Sequence, residues 1–394
     1  MGFDKPDLGF VVHLGAPASP IAYYQQVGRA GRAVAEADVL LLPGVEDQAI
    51  WRYFASLAFP PAEQVRATLD VLEASGRPLS TAAIEPRVEL RRSRLEMMLK
   101  VLDVDGAVRR VSGGWVATGA PWRYDAERLA RVARARAAEQ QAMLDYLGTP
   151  GCRLEFLRRC LDDPEAAPCG RCDRCAGSRY PREVSPAALD AARAFLGRPG
   201  VEIAPRKLWP TGLPAVGVPL SGKIPAGEQT EPGRAVARLS DLGWGDRLRQ
   251  AMETDAAPSD ELVGAVVEVL KAWARGPEAW SARPVAVVAV DSATRPRLVA
   301  GLAERIAAIG RLPLLGAVTA GGHGGGMNSA QRVRALHERL AVPAPLVEQL
   351  AGLDGPVLLV DDLVDSGWTM ALAARELRHA GAAAVLPLAF ATQA

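Results

Sequence analysis

Four of the five cysteines in this 394-residue sequence stand close together, at Cys152, Cys169, Cys172 and Cys175. Four thiolates with no histidine alternative predict a closed tetrahedral zinc site with a structural role, because a catalytic zinc keeps one coordination position open. Zinc binding would contribute about 10–16 kcal/mol of apparent folding free energy to a segment too small for its own core. The fifth cysteine, Cys160, is expected to be an ordinary buried thiol, because the other four complete the coordination shell.

Two arginines three positions apart, Arg29 and Arg32, belong to the phrase YYQQVGRAGR. Guanidinium groups are always ionised, and two of them on one helix face are expected to reach a polyphosphate together. With the preceding MGFDKPDLGFVVHLGAP, this phrase resembles motifs V and VI of RecQ-family superfamily-2 helicases. The resemblance implies that Arg29 and Arg32 contact the γ-phosphate, one of them as an arginine finger. It also implies that Gln25 couples the nucleotide state to domain closure.

A helicase further needs a phosphate loop and a helicase-type acidic pair that holds the magnesium of ATP, and the sequence contains neither of these two motifs. The nearest segment, GVPLSGKI at 217–224, has Ile224 where a magnesium-binding hydroxyl is required, and PAGEQTEPG after it does not fit the required helix. Met1 coincides with a methionine expected inside motif V. We therefore expect a C-terminal fragment of a longer helicase, with ATP and Mg²⁺ bound only by the full-length protein.

An acidic pair follows a buried strand in VLLVDDLVDSGWTM, residues 357–370. Asp361 and Asp362 are predicted to accept hydrogen bonds from two adjacent ribose hydroxyls, near a magnesium ion. Backbone amides of the next turn, with two hydroxyl groups, are predicted to wrap a 5′-phosphate at a helix N-terminus. That turn consists of Asp365, Ser366, Gly367, Trp368 and Thr369.

The same segment resembles the signature of type I phosphoribosyltransferases that binds phosphoribosyl pyrophosphate (PRPP). In purine-salvage members the position of Asp365 carries a candidate general base. The upstream segment VVAVDSATRPRLVAGLAERIA resembles ComF-type members. This implies that Asp291 to Arg295 form a pyrophosphate loop, with Arg295 or Arg297 neutralising charge.

Two further features near this signature have open interpretations. TAGGHGGGMNS has the composition of a mobile loop that closes over PRPP, although a disordered hairpin tip is an equal alternative. His323 within it is expected to be exposed rather than catalytic. Trp209 and Trp244 are candidates to stack on a base, or else to pack a core.

The patterning of the chain predicts a multidomain α/β protein. We expect a remnant of a second RecA-like helicase domain at 1–60, a winged helix at 61–120 and a helical zinc-binding module at 121–180. A linker with a small irregular module is expected at 181–257. The alternating strands and helices of 258–394 predict a phosphoribosyltransferase fold with a central parallel sheet.

The winged helix is predicted from three helices and a Gly-Gly hairpin turn, VRRVSGGWVATG. In RecQ relatives a winged helix usually follows the zinc module, whereas here it precedes it. This order resembles the RqlH branch, whose members carry a phosphoribosyltransferase-like domain. Five arginines are candidate DNA contacts, with a solvated face as the alternative. They are Arg91, Arg92, Arg94, Arg109 and Arg110.

Composition adds only broad limits. The net charge of +1 argues against a uniformly cationic surface for nucleic acid, but leaves local basic faces possible. No apolar run is long enough for a membrane span and no leader pattern is visible, so we expect a cytoplasmic protein without membrane partners. The leading hypothesis is a DNA repair or recombination protein that binds single-stranded DNA or duplex junctions, zinc and a ribose-phosphate ligand. The alternatives are a metabolic phosphoribosyltransferase and a catalytically silent regulatory domain.

Overall fold

A computed structural model of the chain describes residues 6–56, 59–181, 183–276, 279–321 and 327–393. Its strands are β1 (Phe10–Leu14), β2 (Asp38–Leu42), β3 (Val108–Val111), β4 (Gly114–Ala117), β5 (Val201–Ile203), β6 (Gly233–Arg238), β7 (Ala286–Asp291), β8 (Leu314–Thr319), β9 (Pro356–Val364) and β10 (Ala384–Thr392).

The α-helices include one of 23 residues, and the others are shorter. They are α1 (Pro20–Val27), α2 (Asp47–Ser56), α3 (Ala62–Ser75), α4 (Thr81–Ile84), α5 (Arg92–Val104), α6 (Ala126–Gly148), α7 (Arg153–Arg159), α8 (Asp173–Ala176), α9 (Pro186–Leu196), α10 (Gly245–Glu253), α11 (Asp260–Arg275), α12 (Pro296–Gly310), α13 (Ser329–Arg339), α14 (Ala344–Leu350) and α15 (Trp368–His379). Within the described ranges, none of these helices combines the length and apolarity needed to cross a bilayer.

The chain divides into two compact units, each made of two segments. The first unit comprises Met1–Ala62 and Pro121–Val184. In it, β1 and β2 pair in parallel, and a small core joins α1 and α2 to α6 and α7. Its buried aromatic side chains are Tyr23, Trp51 and Tyr146. The cysteine cluster belongs to this unit.

The second unit comprises Glu63–Ala120 and Ser185–Ala394 and contains a six-stranded sheet in the order β5-β6-β10-β9-β7-β8. Five strands of this sheet run parallel, namely β6, β10, β9, β7 and β8. Strand β5 is an antiparallel edge strand, so the sheet is mixed. Hydrophobic cores cover both of its faces. This explains why β9 is apolar almost throughout, since a strand in a doubly covered parallel sheet has no solvent face.

The segment 181–257 differs from the predicted linker and irregular module. It contributes β5 and β6, and β6 pairs with β10 in the register Leu388↔Arg234. Both tryptophans of this segment are buried, Trp209 in the core on one face of the sheet and Trp244 in the core on the other. Ile224, from the rejected phosphate-loop segment, is also a core residue.

The other segment of the second unit consists of α3, α4, α5 and the β3–β4 hairpin, as predicted from its pattern. The hairpin turn requires glycine at Gly114, where φ is +145°. A Cβ atom there would lie 2.1 Å from the backbone oxygen of Leu79, which β4 approaches through a bridge between Leu79 and Trp115. This close approach fixes the hairpin against the start of α4.

Candidate functional site

A cleft lies at the carboxyl ends of β7 and β9, which are neighbours in the sheet. The helix after β7 packs on one face of the sheet and the helix after β9 packs on the other, so the loops after these strands diverge. Such a topological switch point is where open α/β sheets bind ligands. We call this cavity of about 180 Å³ the β7–β9 cleft.

Most residues predicted to bind the ribose-phosphate ligand line this cleft. From the acidic segment these are Asp361, Asp362, Asp365, Ser366, Gly367 and Thr369, and from the loop after β7 they are Asp291 and Arg295. Trp368 is the exception: it is 3% exposed and stacks on Trp209 with ring centroids 6.0 Å apart. The side chain of Trp368 therefore belongs to the core, and the predicted contact through its backbone amide stays a prediction.

Asp362 is joined to the loop after β7 by two hydrogen bonds. The Nε atom of Arg295 donates to its carboxylate over 2.6 Å, and the hydroxyl of Ser292 donates to the same oxygen over 3.2 Å. The Arg295 backbone N–H in turn donates to the Ser292 hydroxyl over 3.1 Å. These donors thus hold the Asp362 side chain in a largely buried position. Arg297, the alternative cation, uses its backbone N–H to bind Asp255.

Asp361 is the more isolated member of the acidic pair. Its burial raises the pKa of its carboxyl group well above the usual range, and the charge of Asp362 raises it further. Its Oδ1 atom accepts a hydrogen bond of 2.8 Å from the backbone N–H of Asp362. A magnesium ion or a pair of hydroxyl donors at this point would stabilise the ionised form.

The turn after β9 is stabilised by two arginines that belong to none of the sequence motifs, Arg332 and Arg206. Arg332 of α13 donates through Nη1 to the Asp365 carboxylate over 2.5 Å and to the Ser366 hydroxyl over 2.9 Å. Arg206 donates through Nε to the Ser366 carbonyl over 2.8 Å, and its guanidinium lies 5.0 Å from the centroid of the Trp368 ring. These contacts hold the turn in a fixed position before any ligand arrives.

A second cavity, of about 570 Å³, adjoins this turn. We call it the α5–α13 pocket, because the starts of these two helices form its walls. Its lining residues are Glu85, Arg91, Arg92, Ser93, Glu96, Met327, Asn328, Ser329, Arg332, Asp365 and Ser366. Arg332, Asp365 and Ser366 also line the β7–β9 cleft, whereas the residues of α5 do not. The glycine-rich segment with His323 lies outside the described residues, at 322–326.

The four predicted zinc ligands come together in the first unit. The Sγ atoms of Cys152, Cys169, Cys172 and Cys175 all lie within 4.8 Å of one another. Burial opposes ionisation of Cys152, but backbone N–H donors from Glu155 and Cys169, together with the thiols of Cys169 and Cys175, outweigh it and lower its pKa to about 6. A cluster of this kind can hold a tetrahedral metal ion such as zinc. Cys160 is not among the four, and its side chain is partly buried.

Arg153 connects the cysteine cluster to the small core. Its backbone N–H donates to Cys172 Sγ over 3.4 Å, and its Nε atom donates to Asp173 over 3.1 Å. The same guanidinium donates to the carbonyl of Tyr146 and lies 5.3 Å from the centroid of that ring. Donors of this type orient metal-binding thiolates and favour their charged form. No motif in the sequence singles out Arg153, although it directly follows the first cysteine of the cluster.

The two arginines predicted to contact the γ-phosphate do not lie on a helix, contrary to what their spacing predicts. Helix α1 ends at Val27 with Gly28 as its C-cap, so Arg29 and Arg32 lie beyond it and do not share a helix face. Both are exposed, and the Nε atom of Arg32 donates to the Gly28 carbonyl over 3.3 Å. Gln25 is exposed on the helix. The helix ends before the two arginines because the two glycines in the phrase disfavour its continuation.

The five arginines predicted to contact DNA all lie in the helix and hairpin segment of the second unit. Arg91 is the N-cap residue of α5, and Arg92 forms a 3.2 Å ion pair with Glu96 on the same helix. Arg94 is partly buried, unlike the other four. Arg109 and Arg110 are on β3, and the guanidinium of Arg110 lies 5.7 Å from the centroid of the Trp115 ring.

Comparisons with known proteins identify relatives among helicases. The chain is 27% identical over 189 residues to the ATP-dependent DNA helicase RecQ of Synechocystis. This match covers 45% of this chain and 37% of the relative. It is 49% identical over 47 residues to the ATP-dependent DNA helicase Q1 of Mus musculus, covering 12% of this chain and 7% of the relative. Part of the chain is therefore homologous to RecQ-family ATP-dependent DNA helicases, and the chain spans well under half the length of these relatives. No family model and no solved structure matches.

Proposed function

We propose that this chain is part of a RecQ-type DNA-processing protein, in which a ribose-phosphate-binding domain accompanies a zinc module and a nucleic-acid-binding winged helix. The helicase part of the proposal is supported by the homology to RecQ proteins. The ribose-phosphate part is supported by the β7–β9 cleft. The finer assignment, to the RqlH type with a ComF-like phosphoribosyltransferase domain, depends on the order of the segments and on the sequence signatures.

The observation that carries the ribose-phosphate proposal is the meeting of two separate sequence signatures in one cleft. Asp291 to Arg295 and Asp361 to Thr369 are distant in the sequence, yet both line the β7–β9 cleft at a topological switch point. The acidic pair offers acceptors for vicinal hydroxyls, and the turn after it offers backbone donors for a phosphate. These groups match the polar parts of PRPP.

The residues of the cleft have distinct roles in this proposal. Asp361 and Asp362 accept hydrogen bonds from the ribose hydroxyls, and Ser366 and Thr369 contact the 5′-phosphate. Magnesium, when bound with PRPP, would neutralise the pyrophosphate charge. Arg295 leaves Asp362 to meet the pyrophosphate, because a guanidinium binds phosphate oxygens as readily as a carboxylate. Asp365, released from Arg332, is the candidate base that accepts a proton from an incoming nucleophile.

In the first unit, we propose that the four cysteines hold a structural zinc ion. The backbone donors to Cys152 and Cys172 support this, because they stabilise thiolates. Arg29, Arg32 and Gln25 would contact ATP with Mg²⁺ in a protein that also carries a phosphate loop. The sequence of this chain has no such loop, so we expect no ATP hydrolysis from this chain by itself.

Isothermal titration calorimetry with PRPP and MgCl₂ tests the ribose-phosphate proposal. The wild-type chain should bind about one equivalent, and the double variant Asp361→Asn, Asp362→Asn should lose the binding heat. Asp354→Asn is the matched control, because Asp354 is an exposed aspartate just before β9. Binding that survives the double variant would refute the assignment of the cleft.

A second measurement separates transferase activity from a silent binding domain. Release of pyrophosphate from PRPP in the presence of free nucleobases would support a metabolic phosphoribosyltransferase. PRPP binding without turnover would support a regulatory role.

A further inference from the structure

The α5–α13 pocket and the β7–β9 cleft share three residues, Arg332, Asp365 and Ser366. Arg332 connects them, because its Nη1 atom donates to both Asp365 and Ser366. Its Nε atom is buried and has no hydrogen-bond partner within the described part of the chain. An anion in either cavity therefore meets the same guanidinium group.

The opposite wall of the pocket is formed by the start of α5. Arg91 has no ion-pair partner among the residues that the structure describes. Arg92 pairs with Glu96, but both side chains are about half exposed, and such a pair exchanges readily for another anion. Ser93 adds a hydroxyl donor, and the first turn of this 13-residue helix favours negative charge. This wall suits a phosphate group.

Three carboxyl groups also line the pocket, those of Glu85, Glu96 and Asp365, and Glu85 has no ion-pair partner among the described residues. Burial raises the pKa of the Glu85 carboxyl group, although the positive charge of Arg92 partly offsets this. A phosphate nearby would raise that pKa further, so Glu85 would become protonated more easily when an anion binds. The carboxylates of Glu96 and Asp365 are already paired with Arg92 and Arg332. Among the three arginines of the pocket, Arg91 is thus the one without an ion-pair partner in the described residues, and Glu85 is the remaining carboxyl group that faces an incoming anion.

The two walls are fixed to each other by buried hydrogen bonds. Asn328, which is 2% exposed, donates through Nδ2 to the carbonyl of Glu85 over 2.6 Å and to that of Val88 over 2.9 Å. Gln331 also donates to the Val88 carbonyl, over 3.2 Å. The residues before α5 are therefore tied to the first turn of α13, and Arg332 belongs to that same turn. These hydrogen bonds therefore fix the two walls of the pocket relative to each other.

We propose that the α5–α13 pocket binds the phosphate backbone of a nucleic-acid strand, which competes with the ribose-phosphate ligand for Arg332. This inference rests on the proposed function of the β7–β9 cleft. The volume of about 570 Å³ is of the size that accommodates a nucleotide. Because two anions share one cation, each weakens the binding of the other, and by linkage the factor is the same in both directions.

Fluorescence anisotropy of the full chain with a 5′-fluorescein-labelled single-stranded oligonucleotide tests the proposal. Saturating PRPP with MgCl₂ should raise the oligonucleotide Kd at least threefold relative to MgCl₂ alone. The double variant Arg91→Gln, Arg92→Gln should bind the oligonucleotide more weakly and lose this dependence on PRPP. The matched control Arg66→Gln, Arg77→Gln removes the same charge from exposed positions of the same unit outside the pocket and should keep the wild-type ratio of Kd values.

Each outcome has a defined meaning. If calorimetry shows that PRPP binds and the oligonucleotide Kd does not change, the inference fails while the proposed function stands. If PRPP does not bind at all, both fail. A threefold or larger shift that persists in Arg91→Gln, Arg92→Gln would also overturn the inference, because the strand would then lie elsewhere. A shift that persists in Asp361→Asn, Asp362→Asn would show a general anion effect and would refute it too.

Discussion

Arg295 and Asp362 join the two halves of the β7–β9 cleft, since the Arg295 guanidinium donates to the Asp362 carboxylate over 2.6 Å. The arginine side chain is 20% exposed and the aspartate side chain 7% exposed. Arg295 follows β7 and Asp362 lies in β9, so the contact closes the cleft across the switch point. The same pair would have to open when a polyanion enters.

We expect Arg295→Gln to lower both the stability of the second unit and its affinity for PRPP. Removing one partner of a buried pair leaves an uncompensated charge, at a cost of about 3 kcal/mol. Thermal unfolding and calorimetric titration measure the two effects. Arg297→Gln is the control, because Arg297 donates to Asp255 through its backbone N–H, which the substitution retains. Equal losses in the two variants would contradict the role of Arg295.

Asp361→Asn should abolish PRPP binding yet raise the melting temperature at pH 7. Burial raises the pKa of Asp361 in the folded protein, so protonation of this carboxyl group stabilises the folded state. This contribution to stability is fully present below the unfolded-state pKa and is lost as the pH rises through the folded-state pKa. Asparagine stays neutral and still accepts the hydrogen bond from the Asp362 backbone N–H. The gain in melting temperature should shrink between pH 7 and pH 4. A lower melting temperature at pH 7 would contradict this account.

The chain should bind about one equivalent of zinc, and Cys172→Ser should abolish this binding. Loss of the metal should destabilise the first unit, because zinc sites of this type contribute about 10 kcal/mol or more to folding. Metal analysis of the purified protein and circular dichroism melting check both points. Cys160→Ser, whose thiol lies outside the cluster, should retain the metal. Unchanged metal content in Cys172→Ser would exclude this cluster as the site.

Gly114→Ala should destabilise the second unit by about 2 kcal/mol or more, because the new Cβ atom would overlap the Leu79 carbonyl. Gly119→Ala is a suitable comparison, since Gly119 also has a positive φ but no atom within 4 Å of the Cβ position. Urea denaturation of both variants measures the difference. If both variants lose the same stability, the effect comes from backbone strain alone and the close approach has no energetic consequence.

The sequence allowed the acidic pair and its turn to be predicted because these residues are contiguous and follow a strongly apolar strand. Arg332, Arg206 and Asn328 were missed because their contacts join segments far apart in the chain, which spacing does not reveal. The six residues of β6 gave too short a pattern to distinguish a strand from a linker. Only its pairing with β10 identifies it as part of the sheet.

The most direct test of the account is a crystal structure of this chain with PRPP and Mg²⁺. We predict that the ribose hydroxyls contact Asp361 and Asp362, that the 5′-phosphate lies against Ser366 to Thr369, and that Arg295 has moved from Asp362 to the pyrophosphate. A ligand bound outside the β7–β9 cleft, or a cleft that stays closed by the Arg295–Asp362 pair at saturating PRPP, would contradict the account.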